Sequence, residues 1–135
     1  MEIRFQTGSS AAGAVILPLF QGERPDFPAL ERTLPWLQDS RGLEDFKGKK
    51  AETLLLHAPR GDAPRAFLAG LGRREAFTPK ALGEAMSVAV KALAERRLGR
   101  LALPLAALRG LAGEREYPRL LEEAILGAGL GLYGV

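Results

Sequence analysis

The chain is 135 residues long, with 47% hydrophobic residues, 26% charged residues and a net charge of +3. This length predicts one domain, 1–135, with a sizeable hydrophobic core. Because the sequence has no cysteine, disulfide scaffolds, thiolate metal sites and a cysteine nucleophile are excluded. We see no signal peptide and no apolar run that could span a bilayer, so we expect a cytoplasmic protein with no membrane partner.

Two predicted strands open the chain. The alternating segment 2–6 predicts a strand, placed at an edge of the sheet. The continuous apolar run 14–20 predicts a strand that is covered on both faces. Because Pro18 cannot donate a backbone hydrogen bond, we expect either an edge of the sheet or the end of strand pairing near it.

A helix is predicted next, over residues 26–42. Its leucines keep a helical spacing, at Leu30, Leu34 and Leu37. Gly42 is the predicted stop, and Pro35 either kinks this helix or begins the first turn of a second one.

A β-hairpin is predicted in the middle of the chain. A glycine–lysine turn leads into an apolar strand at 53–57, and the turn chemistry of "RGDAP" separates it from a second strand at 65–72. The tripeptide at 60–62 matches a cell-adhesion motif, which we interpret as chance.

The longest predicted helix follows, with Thr78 as its N-cap, Pro79 at the first helical position and Gly99 as its end. Its apolar stripe comprises Leu82, Ala85, Met86, Ala89, Val90 and Leu93.

The last third predicts a buried strand at 100–105, a short helical turn within 106–116, and a final helix over 117–133 that begins at Pro118 and dissolves into glycines. Strands that alternate with amphipathic helices indicate an α/β fold. We predict a three-layer α/β/α architecture around a mixed sheet.

Few residues suggest a reaction site. His57 is the single histidine, and no acidic residue lies near it at ligand spacing, so we interpret it as a strand-end residue. The acidic pairs at 44–45 and 122–123 are adjacent on the chain and do not converge as an acid–base pair would. Catalytic, cofactor-binding and metal-binding residues are therefore predicted to be absent from this chain.

The segment "AFLAGLGRREAFTPKALGEA" places a Gly-x-Gly turn between a strand and a helix, as phosphate loops do. The third glycine of a dinucleotide fingerprint is replaced by Glu75, and Thr78 is expected to cap amides that a phosphate would need. We favour a tight strand exit that needs glycine. The alternative is a contact with a ligand or nucleic acid, made by Gly70, Gly72, Arg73 and Arg74.

Two motifs resemble the N-terminal domain of the leucyl aminopeptidase family. That family runs "F-x-G-K-x-G-E/Q-T-L-L-L" into a "V/L-G-L-G" turn and then a helix. The first motif is matched here by Phe46, Gly48, Lys49, Glu52, Thr53 and Leu54. The second is matched by Leu68, Gly70, Leu71, Gly72 and Thr78.

The resemblance implies a macro-domain-like fold and a non-catalytic role in assembly or regulation. These enzymes are cytosolic, hexameric exopeptidases that use two divalent metals, zinc or manganese, held in the C-terminal lobe with the catalytic lysine and arginine. The hallmark of that lobe, "N-T-D-A-E-G-R-L", does not occur in this sequence. The resemblance therefore implies that the partner is a further copy or an aminopeptidase catalytic domain.

Two alternatives remain open from the residues. A macro-like domain would bind ADP-ribose, a nucleotide or RNA over the loops "GSSAAG" and "GLGRRE". A DNA-binding module, a role to which some bacterial family members contribute, would use Arg73, Arg74, Arg96, Arg97 and Arg100. A solvated basic face is the simpler interpretation of these arginines.

Overall fold

A computed structural model describes residues 2–6, 13–59, 64–96 and 100–133. The described part contains five strands: β1 (Glu2–Gln6), β2 (Ala14–Leu19), β3 (Thr53–Leu56), β4 (Arg65–Gly70) and β5 (Arg100–Pro104). It also contains four α-helices: α1 (Phe27–Leu30), α2 (Pro79–Glu95), α3 (Leu105–Arg109) and α4 (Tyr117–Tyr133). Most of "GSSAAG", the tripeptide at 60–62, Arg97 and Gly99 lie outside the described residues.

The strands form one mixed sheet in the order β1-β5-β2-β4-β3. β1, β5, β2 and β4 run parallel to one another. β3 pairs antiparallel with β4, which confirms the predicted hairpin. β1 lies at an edge, as predicted. β2 pairs with β4 along its whole length, Pro18 included, but with β5 only at Ala14 and Val15, so the end of pairing expected near Pro18 is seen on the β5 side alone.

One face of the sheet is covered by α2 and α4. The predicted stripe of α2 faces the sheet, where Leu82, Met86 and Leu93 are fully buried. The helix begins where the sequence predicted, with Thr78 at the N-cap and Pro79 at the first position. The predicted side-chain cap is wrong: the Thr78 backbone carbonyl, rather than its hydroxyl, accepts the Ala81 N–H at 2.9 Å.

The opposite face is covered by residues 27–46, and here the helix predicted over 26–42, kinked or divided at Pro35, is wrong. α1 ends at Leu30 after one turn, and two short 3₁₀ turns follow at Leu37–Asp39 and Leu43–Asp45. Pro35 disfavours helical geometry in the residue before it, which prevents the helix from running on. The predicted leucines are nevertheless buried in this second core: Leu30, Leu34 and Leu37.

The final helix does not dissolve into glycines, which corrects the prediction for 117–133. α4 continues through Gly127, Gly129 and Gly131 to Tyr133. Gly127 and Gly131 face α2, where the absence of a side chain allows the two helix backbones to approach each other. The helix therefore uses its glycines for packing, and the tertiary contact overrides their poor helix propensity. No helix among residues 2–6, 13–59, 64–96 and 100–133 is long and apolar enough to cross a membrane.

Candidate functional site at the strand ends

The residues of both family motifs meet where the central strands end. The register pairs Leu19 with Gly70, so β2 and β4 finish side by side. We call the surrounding loops the strand-end junction, which consists of residues 20–23, 47–52 and 70–74. In open α/β sheets, this carboxyl edge is where ligands usually bind.

Glycine is required at this junction because three backbones touch. The Gly72 N–H donates to the Gly48 carbonyl at 2.9 Å, and the Gly70 N–H donates to the Glu52 carbonyl at 2.7 Å. A Cβ on Gly70 would overlap the Lys49 carbonyl oxygen, and both Gly48 and Gly72 adopt φ of +79°. The favoured interpretation of the Gly-x-Gly turn, a tight strand exit, agrees with these contacts.

The carboxylate of Glu52 binds the loop that precedes it. It accepts the backbone N–H of Lys47 at 3.2 Å and that of Lys49 at 3.0 Å. The pKa of the Glu52 carboxyl is lowered below its usual range, chiefly by the hydrogen bond from the Lys47 N–H. Partial burial opposes this shift, and the backbone hydrogen bonds of Lys49 and Gly48 add to it. An anion-binding arrangement of amides is thus already filled by a side chain of the same loop.

Arg74 connects two loops of the junction with the loop that follows α3. Its Nε and Nη2 donate to the two carboxylate oxygens of Glu23 at 2.7 and 2.6 Å, and its Nη1 donates to the Gly110 carbonyl at 2.9 Å. Its guanidinium also lies 4.3 Å from the centroid of the Phe20 ring, which stacks edge-on against Phe77 at 5.0 Å. The hydrogen bond from Arg74 lowers the pKa of Glu23.

Sequence reasoning missed Glu23 and Phe20 as partners of Arg74. Glu23 lies 51 residues before Arg74, and no local spacing rule connects positions that far apart. The register of β2 against β4 brings them together, and that register is a tertiary property.

A cleft opens beside Arg74. It has a volume of about 160 Å³ and is lined by Pro18, Phe20, Glu23, Asp26, Arg74 and Gly110 among others. Ligand pockets for drug-sized molecules usually measure about 300–1,000 Å³, so this cleft is small for a nucleotide. A ligand contact by Gly70, Gly72, Arg73 and Arg74 stays a prediction, and Arg74 already has protein partners.

Two of the arginines proposed for nucleic acid lie at opposite ends of α2, and Arg97 lies outside the described residues. Arg73 precedes α2 and Arg96 follows it, so 17 helical residues, or roughly 25 Å, separate the two ends. Arg100 begins β5, close to the Arg96 end of the helix in the chain. His57 directly follows β3, as predicted, and its side chain is exposed.

The two divalent metals of the resembled family would need ligands among the described residues. Within the described ranges, no group of three or more histidine, cysteine, aspartate or glutamate side chains is arranged to bind a metal ion. Two-metal hydrolases need several such ligands around each ion. The described residues do not fit this centre, and no chemical step is assigned to a metal here.

Comparison with known proteins decides the family. The family model "Cytosol aminopeptidase family, N-terminal domain" matches residues 27–135. The chain belongs to the cytosol aminopeptidase family. Its match is to the N-terminal domain, which confirms the resemblance seen in the two motifs.

Curated relatives of this aminopeptidase domain give the same result. The chain is 36% identical over 139 aligned residues to a probable cytosol aminopeptidase of Oleidesulfovibrio alaskensis. This alignment covers 98% of the chain and 27% of that relative. The corresponding protein of Nitratidesulfovibrio vulgaris is 35% identical over 141 residues, with 98% and 28% covered. The aminopeptidase domain described here thus spans about a quarter of the length of these relatives.

Solved structures support the fold of this aminopeptidase domain. A tomato leucine aminopeptidase mutant aligns with a TM-score of 0.70 and 21% identity, over 97% of this chain and 28% of that one. The bottromycin maturation enzyme BotP aligns with a TM-score of 0.65 and 24% identity, over 91% and 24%. The α/β prediction is confirmed, and the comparisons give no support to the alternative of a stand-alone macro-like ligand binder.

Proposed function

We propose that these 135 residues act as a non-catalytic lobe of a metal-dependent leucyl aminopeptidase, where they serve assembly or regulation in the cytoplasm. The partners in this proposal are the aminopeptidase catalytic domain and further copies of the same protein. The two divalent metals, zinc or manganese, belong to that catalytic domain. The chain alone is expected to have no peptidase activity.

The observation that carries this proposal is the position of the family match. The matched region is described as an N-terminal domain, and it accounts for 27% of the Oleidesulfovibrio alaskensis relative. The remaining three quarters of such a relative have no counterpart among these 135 residues, and they offer ample room for a separate catalytic part.

The chemistry of the strand-end junction supports the same proposal. Its two notable carboxylates are already engaged, Glu52 with backbone amides and Glu23 with Arg74. A general acid or base needs access to a substrate proton. The family motifs in this chain therefore stabilise loops, which suits a lobe that provides architecture.

The test exchanges the lobe within the Oleidesulfovibrio alaskensis aminopeptidase. Three proteins are compared: the relative itself, a chimera in which this chain replaces its matched region, and a deletion that lacks the region. We expect leucyl-anilide hydrolysis from the relative and the chimera, and a smaller assembly in sedimentation with reduced hydrolysis from the deletion. A deletion that keeps both full hydrolysis and the parent assembly would contradict the proposal.

A further inference from the structure

The outer surface of α4 changes character along the helix. Its first turns carry Arg119, Glu122 and Glu123, whereas residues 124–133 carry no charged side chain at all. A helix that is apolar on all sides is usually buried on all sides. The second half of α4 therefore leaves an apolar surface exposed in the isolated domain.

The inner and outer sides of this half can be separated. Ala124 and Ala128 are buried in the core that α4 shares with α2 and one face of the sheet. On the opposite side, Ile125 is 51% exposed, Leu126 55% and Leu130 46%. We call Ile125, Leu126, Gly129 and Leu130 the α4 outer face.

This face forms one wall of a groove between α4 and α2. The groove has a volume of about 680 Å³, about four times that of the strand-end cleft, and α2 contributes Lys80, Glu84 and Ser87 to it. Both carboxylates that line the groove already have partners: Glu84 lies 3.6 Å from Lys50, and Glu123 lies 3.9 Å from Arg119. An apolar centre within a polar rim is the usual composition of a protein interface.

We propose that the α4 outer face is the surface against which the catalytic part of the aminopeptidase chain packs. This inference rests on the proposed function. In the relatives, the matched domain is N-terminal and α4 is its last described helix, so the polypeptide that follows leaves the domain next to this face. A tethered segment has an effective concentration on the order of millimolar, an advantage that a second copy lacks.

The test uses the absence of cysteine in this chain. Leu126→Cys places a single thiol on the α4 outer face, and Val88→Cys places a control thiol on α2, where Val88 is 43% exposed but does not line the groove. Maleimide labelling is timed for each variant in the 135-residue chain and in the chimera, and the labelled positions are read by peptide mass spectrometry. We expect labelling of Leu126→Cys to slow at least tenfold in the chimera, and that of Val88→Cys to change less than twofold.

Two results would overturn the proposal. Equal labelling of Leu126→Cys in the chain and the chimera would show that the catalytic part leaves this face open. Protection that already appears in the isolated chain and rises with its concentration would assign the face to a second copy.

A second measurement serves if the chimera does not fold. The tagged 135-residue chain is co-expressed with the remainder of the Oleidesulfovibrio alaskensis protein. We expect the remainder to co-purify with the unmodified chain and with Val88→Lys, and to be lost with Leu126→Lys. Failure to co-purify with the unmodified chain, or equal recovery with all three, would overturn the proposal.

Different results would overturn the proposed docking surface and the proposed function. A chimera that hydrolyses leucyl anilide without protecting Leu126→Cys supports the proposed function and overturns the docking surface. A folded chimera that protects this position but has no hydrolysis supports the docking surface and counts against the proposed function.

Discussion

Gly127 of α4 lies directly against Gly83 of α2, so that a Cβ at position 127 would overlap the Gly83 carbonyl oxygen. One turn later, a Cβ on Gly131 would lie 2.5 Å from the Ser87 carbonyl oxygen. Both helices thus place small residues four positions apart at their contact, and their backbones approach as closely as such residues permit. The layer that covers this face of the sheet depends on that contact.

Gly127→Ala should therefore destabilise the fold. The added methyl meets backbone rather than a movable side chain, so we expect a loss of about 2–3 kcal/mol in the free energy of unfolding, measured by urea denaturation. The matched control is Gly129→Ala in the same helix, where a Cβ would meet nothing within 4 Å. Helix propensity predicts a gain of up to about 1 kcal/mol for this control. Equal effects of the two substitutions would contradict the close helix contact.

Arg74→Ala tests the connection between the loops. The Arg74–Glu23 pair is about half exposed, so solvent reduces its value, and the Phe20 ring adds a cation–π contact. We expect a loss of about 1 kcal/mol, against less than about 0.5 kcal/mol for Arg73→Ala at the exposed neighbouring position. If chemical denaturation gave the same loss for both variants, Arg74 would have no special structural role.

Ala51→Gly tests backbone strain in the first family motif. Ala51 is the non-glycine residue with positive φ in the described part of the chain, at +68°, and the family motif has glycine at this place. Left-handed geometry costs an alanine about 1 kcal/mol, so we expect this substitution to stabilise the fold by up to about 1 kcal/mol. Ala94→Gly in α2 should instead destabilise the fold by about 0.5–1 kcal/mol. Thermal unfolding of both variants measures the two changes. A loss at both positions would show that Ala51 is unstrained.

Glu52→Gln tests the carboxylate that binds its own loop. Because the folded-state pKa of Glu52 is lowered, its contribution is present above the pKa of the unfolded chain, near 4.5, and is lost as pH falls through the lower folded value. The free energy of unfolding should therefore fall more steeply below about pH 5 in the unmodified chain than in Glu52→Gln. Parallel pH profiles of the two proteins would show that the amide contacts of Glu52 do not stabilise its charge.

The strands and α2 could be predicted because their signals are local. Alternation in 2–6, the apolar run at 14–20 and the cap-and-stripe pattern of α2 each depend on neighbouring residues, and the structure agrees with them. The segment 26–42 misled because its leucines keep a helical spacing while its prolines prevent a long helix. These leucines are nevertheless buried. Their spacing therefore predicted correctly which residues enter the core, but not the helical backbone expected to carry them.

The strand-end junction was less accessible to sequence reasoning. The Gly-x-Gly turn and Glu52 were noted as family motifs, but their tasks depend on the register of three chain segments. The pairing of Arg74 with Glu23 and the contact of Gly127 with Gly83 connect positions far apart in sequence. Such contacts depend on how the chain is folded, and local sequence patterns do not show them. The final helix was therefore predicted to dissolve into its glycines, because the contact of those glycines with α2 could not be foreseen.

The most direct measurement of the central claim is hydrolysis of leucyl anilide by the purified 135-residue chain, loaded with manganese or zinc, beside the full-length Oleidesulfovibrio alaskensis relative. If the chain is a non-catalytic lobe, the relative should hydrolyse leucyl anilide. The 135-residue chain should show no hydrolysis above the background of metal alone. Metal-dependent turnover by the isolated chain, abolished by a chelator and restored by the metal, would contradict this account.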